Sequence, residues 1–384
     1  MNLHKISSFF QVLILVAAAM FMAPSVLASG SGEGHGDDHA EKAEFQAGEY
    51  IIHHIADSHS IHLFGDHAEG IPEVSIPLPV ILWTDNGLKM FMSSAFHHDD
   101  QGIERVDIGD GQYVVNYHDK ILYANAEADA HGSYAPIDHD THAVIGAQPF
   151  DLSITKSVFG MLMIMLIMIL VFRSVGKAYT KRAGQAPTGL QNALEPLILF
   201  IRDEVAIPSL GAKKADRFLP FLLTVFFFIW MCNLLGLVPF LGGFNITGTL
   251  GVTLVLAAFV FIITTINGNK HYWGHILWPP GVPLPIKFIL IPIEFVGILL
   301  KPTVLMIRLT ANISAGHIVI LAFVSLVVIF GQTSTGLGFG VGVGAVAFMV
   351  FMFFLELLVA FLQAYVFTLL AALYFGDATQ EAHH

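Results

Sequence analysis

From Phe218 to Asn269 the chain carries no charged residue and no histidine. An uncharged apolar run of this length is what a bilayer selects, since a helix needs about 20 apolar residues for each crossing. This run has room for two crossings, and Gly242, Gly243 and Asn245 near its middle mark a tight turn between them. Composition agrees: 12% of residues are charged, against about 25% in ordinary soluble domains.

The other apolar segments extend this pattern. Ser157–Phe172 reads as the first crossing, and Arg173, Lys177, Lys181 and Arg182 follow at once. The positive-inside rule puts that end in the cytoplasm. In Leu190–Val205, apolar residues 190, 194, 197, 198, 201 and 205 form one helical stripe, with Arg202, Asp203 and Glu204 off it. That pattern predicts an amphipathic helix on the membrane surface, with Pro196 near a start or a kink. Lys270, His271, His275 and Lys287, with Pro279 and Pro280, mark a cytoplasmic loop.

Two segments remain, about Pro285 to Phe330 and about Leu337 to Phe375, joined by a turn at Gln332 to Gly336. As helices they would be roughly 70 Å and nearly 60 Å long, against a hydrocarbon layer of about 30 Å. Neither has a polar turn at its midpoint, so a long, steeply tilted helical hairpin is expected. The fold class is therefore an all-α polytopic membrane protein with five membrane-spanning segments, an amphipathic surface helix and a cytoplasmic C-terminus.

The N-terminal part differs in composition. Residues 1–28 read as a cleaved signal peptide, with Lys5, an apolar stretch from Phe9 to Met22 and a small-residue site at Val26-Leu27-Ala28; a retained first helix is the rival reading. Residues 29–150 hold 4 Lys+Arg against 21 Asp+Glu, and are expected outside the cytoplasm. Ser29 to Glu44 has the composition of a disordered start. Runs such as Val80-Ile81-Leu82-Trp83, Lys89–Met92 and Tyr113–Tyr117, with turn residues Asp85-Asn86-Gly87, predict a small β-rich region. The membrane domain occupies 151–384. Histidines such as His53, His54, His59 and His62 stand near Asp57 and Asp66, yet no short unit has a metal-site spacing, so a solvated acidic surface or proton buffering is favoured and no metal is expected. Cys232 is the only cysteine, which excludes intrachain disulfides and multi-Cys zinc sites. No nucleic-acid partner and no cofactor are expected.

The chemistry centres on Arg308, which sits among apolar residues at membrane depth. Such a guanidinium costs about 2.5–3.5 kcal/mol on insertion scales, and it cannot discharge. A snorkelling helix-end arginine is the bland alternative. On a helical wheel Glu294, Lys301 and Arg308 share a face, Asn312 lies one turn on, and His317 points the opposite way. Ala311, Ala315 and Gly316 are small enough to admit another helix. On the last helix Glu356 and Gln363 share a face, and an intramembrane carboxyl of this kind suits a proton relay or an ion pair.

These residues carry a resemblance. Arg308-Leu309-Thr310-Ala311-Asn312-Ile313-Ser314-Ala315-Gly316-His317 resembles the RLxxNxxAGH signature of subunit a of the F-type ATP synthases. Leu355-Glu356 through Phe367 is similar to that family's final helix, and Asn233-Leu234-Leu235-Gly236-Leu237-Val238-Pro239 to its NLLGLIP segment. The resemblance implies that Arg308 is the essential charge facing a ring of c subunits. It implies a proton path through Asn312, His317, Glu356, Gln363 and Asn233 on the outer side, with Glu294 and Lys301 on the inner side. Some relatives carry Asp where Gly236 stands. The implied partners are the c-ring, subunit b, the F1 head, membrane lipid and the transported proton. The implied setting is a bacterial inner membrane, and the chain would be an ion-channel subunit, not an enzyme by itself. A self-contained secondary transporter is the rival class, and it predicts internal repeats that are not seen.

Overall fold

The computed structural model describes residues 57–66, 71–129, 132–138, 144–182, 184–238, 243–279 and 282–380. The signal-peptide reading of 1–28 and the disordered reading of 29–44 fall outside the described residues. By contacts the chain divides into two bodies, one containing 52–315 with 356–384, the other containing 316–355.

Among the described residues, eight short strands precede the first long helix: β1 (Ser60–Asp66), β2 (Ile71–Pro77), β3 (Pro79–Thr84), β4 (Gly87–Met92), β5 (Val106–Gly109), β6 (Gln112–Tyr117), β7 (Lys120–Tyr123) and β8 (Phe150–Asp151). They form an antiparallel β1–β2 ribbon, a β4–β3–β8 sheet and a β5–β6–β7 sheet. The loop Asp85-Asn86 joins β3 to β4, with Thr84 paired to Gly87. Between β6 and β7, His118 and Asp119 both take positive φ, 47° and 61°, as a tight two-residue hairpin requires. Val80 and Leu82 of β3 alternate inward and meet Phe96, Ile108, Val114 and Ile121 in a small core, so the β-rich region forms by ordinary period-two burial.

The helices are α1 (Lys156–Lys181), α2 (Leu190–Phe200), α3 (Ala212–Gly236), α4 (Leu250–Asn267), α5 (Lys270–Leu277), α6 (Leu284–Thr333) and α7 (Thr335–Thr379). Among the described residues, five of them (α1, α3, α4, α6, α7) are long and apolar enough to cross a bilayer, the number expected from the sequence. At 50 and 45 residues, α6 and α7 extend about 75 Å and about 68 Å. In the 316–355 body they form a close hairpin: the rings of Phe323 and Phe348 stack at 4.1 Å, and Gly338 lies so near Gly331 that an added Cβ would stand 2.6 Å from its Cα.

Three boundaries differ from the sequence reading. α3 starts at Ala212 rather than near Phe218, because the charged first turns, with Lys213, Lys214, Asp216 and Arg217, are helical as well. The loop after α4 contains α5. The amphipathic segment runs on from α2 through a π-helical turn, Ile201–Ala206, to a last turn at Ile207–Leu210. Pro196 lies inside α2, where it removes one backbone donor. Ile201 and Val205 are buried and Arg202, Asp203 and Glu204 exposed, so the predicted stripe survives the change of pitch.

α3 carries the core. Phe226, Phe227, Leu222 and Ile229 are fully buried. Phe227 meets Phe172 of α1 edge-on at 4.9 Å, and Phe218 stacks on Phe375 of α7 at 5.1 Å. The end of α7 is fastened: Lys214 Nζ and Asn269 Nδ2 donate to the Thr379 carbonyl at 2.5 and 2.9 Å, satisfying an acceptor that a helix C-terminus leaves open. Ile61 and Leu78 belong to the same cluster as these membrane-type helices, which ties the strand region to the bundle.

Candidate functional site

The rotation of α6 decides where Arg308 points. Leu305 and Leu309 are buried in the α3-centred core, and a hydroxyl pair, Thr253 with Thr310 at 2.7 Å, joins α4 to α6. Held this way, α6 turns Val304, Ile307, Arg308, Ala311 and Ala315 outward, all exposed. The guanidinium therefore stands on an uncovered lane whose next turns are lined by small side chains. Such a lane lets a second helix come close while leaving the charge accessible. Gly316 and His317 belong to the other body and are partly buried there.

One turn from Arg308, Asn312 reaches α7: its Nδ2 donates to Gln363 Oε1 at 2.9 Å, and Gln363 is buried. A second amide is tied to the same helix. Asn233 Nδ2, near the end of α3, donates to the Ala360 carbonyl at 3.2 Å, while its Oδ1 accepts from Thr247 Oγ1 at 2.5 Å. Glu356 lies one turn before Ala360 on α7. Among the described residues, neither carboxyl oxygen of Glu356 has a hydrogen-bond partner although both are buried. A buried polar group without a protein partner calls for water or a proton. Of the two readings of Glu356, relay or ion pair, the hydrogen-bonded pair is not formed among the described residues.

Toward the Leu284 end of α6 the polar residues form a second cluster. Lys301 Nζ lies 3.6 Å from Asp377 Oδ2 and 5.3 Å from the Tyr374 ring. Lys301 and Tyr374 also line a cavity of about 20 Å³ together with Thr264, Tyr272 and Pro302, room for one water molecule. Burial, with the nearby Asp377 and Glu294 carboxylates, pushes the Tyr272 phenol above its ordinary range, so this hydroxyl stays protonated near neutral pH. Arg308 is within electrostatic reach of Tyr374.

The structure thus brings Asn312 to Gln363, and Asn233 to the same helix as Gln363 and Glu356. It sets Lys301 apart from them, at the cavity, with Glu294 near Tyr272 on the same side. Sequence reasoning missed Thr247, Thr253, Tyr272, Tyr374 and Asp377. Asp377 was legible as the next charge after Glu356; the hydroxyls had no signal beyond being polar in an apolar run.

A helical bundle with this many membrane-length helices, an uncovered arginine on α6 and amides linking the long helices defines a polytopic membrane protein of ion-translocating type. Comparison gives the particular family. The ATP synthase A chain family model matches residues 158–376, and the chain belongs to that family. A second model, described as a domain of unknown function (DUF8433), matches residues 50–152. Relatives include ATP synthase subunit a of Pelodictyon phaeoclathratiforme, 44% identical over 61% of this chain and 68% of the relative. Subunit a of Chloroherpeton thalassium is 41% identical over 61% of this chain and 69% of the relative. Subunit a 2 of Prosthecochloris aestuarii is 42% identical over 64% and 74%.

Proposed function

We propose that this chain is the proton-translocating stator subunit of an F-type ATP synthase. It provides two half-channels, each open to one side of the membrane, that meet a ring of c subunits at Arg308. The observation that carries the reading is Arg308 itself, exposed on a small-residue lane of α6 beside the Asn312–Gln363 link. A ring carboxylate that has lost its proton is attracted to the guanidinium, and the same fixed charge keeps protons from passing directly between half-channels. Ala311, Ala315 and Gly316 let the ring helices approach.

Asn312, His317, Glu356, Gln363 and Asn233 line the outer half-channel in this reading. Glu294 and Lys301 lie by the inner one, and the cavity bounded by Lys301 and Tyr374 supplies a water position there. The α6–α7 hairpin lies steeply tilted against the ring. Residues 1–28 direct export, 29–150 stand outside the cytoplasm and 151–384 form the channel, with the C-terminus in the cytoplasm of a bacterial cell whose inner membrane holds the complex. Subunit b and the F1 head are partners through that complex.

Mild detergent purification through a C-terminal tag tests the assignment. A c-ring and an ATP-hydrolysing soluble head should come down with the chain in fixed ratio. Recovery of the chain as a stable body lacking both would favour a self-contained transporter.

A further inference from the structure

The sheet β4–β3–β8 has two faces of opposite chemistry. Residues paired across an antiparallel ladder share a face. Leu82 is paired with Lys89 and Asp151, on the side closed by the Ile108 and Val114 core. The charges there have partners: Lys89 Nζ lies 2.7 Å from Asp110 Oδ2, and Asp151 Oδ2 lies 2.9 Å from His59 Nε2. On the other side Trp83 is paired with Leu88 and Phe150, Ile81 with Met90, and Pro79 with Met92. This side is uncovered: Trp83, Met90 and Phe150 are 60, 65 and 68% exposed, and Leu88, Met92 and Leu152 are exposed too. Among the described residues, the side chains paired on this side are all apolar, in a region that is otherwise strongly acidic. A contiguous apolar patch of this kind marks an interaction surface.

Its position along the chain says what covers it. After β8, Leu152 and Ile154 donate their N–H groups to the Ile81 and Pro79 carbonyls at 2.8 and 3.1 Å, and the next residues open α1. Leu78, beside β3, is buried in the bundle's own core cluster. Exposed apolar side chains then resume on α1 at Phe159, Leu162 and Leu166, the surface that a membrane-spanning helix gives to lipid. The apolar face of the sheet is therefore continuous along the chain with a lipid-facing helix. We infer that this face rests in the headgroup–acyl boundary of the leaflet at the N-terminal end of α1, with Trp83 and Phe150 as its aromatic anchors. Tryptophan favours that zone, where one part of the ring is apolar and its N–H stays wet. The face would steady the strand region against the bilayer and hold it beside the outer end of α4, where Ser157 Oγ lies 3.1 Å from Thr249 Oγ1. The inference rests on the membrane insertion of α1 and not on the role of Arg308.

The test uses the full chain in its complex, reconstituted into phosphatidylcholine vesicles in which part of the lipid is brominated near the headgroup end of its acyl chains. Subtracting the emission of Trp83→Phe from that of the parent chain isolates Trp83 from the other tryptophans. The Trp83 signal should lose most of its intensity to brominated lipid and little to acrylamide in the water. Met90→Asp, which places a carboxylate on the face, should reverse that order. Quenching by acrylamide without quenching by lipid would overturn the inference, since the face would then be open to water. Protection from both quenchers would overturn it as well, because a second copy or another subunit would then cover the face. Arg308 variants should leave either pattern unchanged.

Discussion

Asn312 and Gln363, on two different long helices, share one hydrogen bond, from Nδ2 to Oε1 at 2.9 Å. It joins the helix that carries Arg308 to the helix that carries Glu356, one turn beyond the arginine. Interhelical bonds of this kind are modest in membranes, averaging about 0.6 kcal/mol, so its worth is positional. A double-mutant cycle with Asn312→Ala and Gln363→Ala should show a coupling of about that size in unfolding, with less than additive damage to proton pumping, since either substitution already breaks the shared bond. Independent effects on pumping would count against a shared role.

Among the described residues, both oxygens of the buried Glu356 carboxyl lack a hydrogen-bond partner. Glu356→Gln keeps its shape and removes the titrating proton, so ATP-driven pumping in vesicles should fall severely while the complex still assembles. Glu356→Asp should retain part of the activity. Full pumping by the Gln variant would remove Glu356 from the path.

Lys301 and Asp377 are close, but both side chains are substantially exposed, 45 and 59%. Exposed pairs contribute about 0–1 kcal/mol. Asp377→Asn should therefore leave thermal stability nearly unchanged, and a large drop in the unfolding temperature would show that the pair is buried in the assembled complex.

Asp151 gives the strand region an acid-side limit. Burial acts to raise its carboxyl, but hydrogen bonds from His59, from the Ser153 hydroxyl and from the Ser153 N–H together outweigh it, and it is held below the ordinary value of 3.8. A carboxyl depressed in the folded state contributes stability above its unfolded value, lost as pH falls through the folded one. The strand region should become more protease-sensitive as pH drops below about 4, and Asp151→Asn should flatten that dependence. Chelator at neutral pH should change neither, because Val80, Leu82, Val114 and Ile121 already supply a core.

Much of this architecture was legible because membrane crossing imposes long uncharged runs. The crossings, the hairpin strands around Asp85-Asn86 and the amphipathic stripe at 190–205 all follow from local pattern. Arg308 was legible for the opposite reason: a permanent charge at depth has few bland explanations. What escaped depends on packing. The start of α3 carries Lys213 and Lys214, which look like a loop until Lys214 is seen holding the end of α7. The π-helical turn at Ile201–Ala206 has no composition signal. Thr247 and Thr253 acquire meaning only when Asn233 and Thr310 arrive from other helices.

The coupling of proton flow to rotation through Arg308, proposed above, is best tested by ATP synthesis in vesicles. Arg308→Ala should abolish synthesis driven by an imposed proton gradient, with the complex still assembled and its head still hydrolysing ATP. Arg308→Lys should also fail, since a compact, strongly hydrated ammonium lacks the planar fork of the guanidinium. Parental rates of synthesis from either variant would contradict the account.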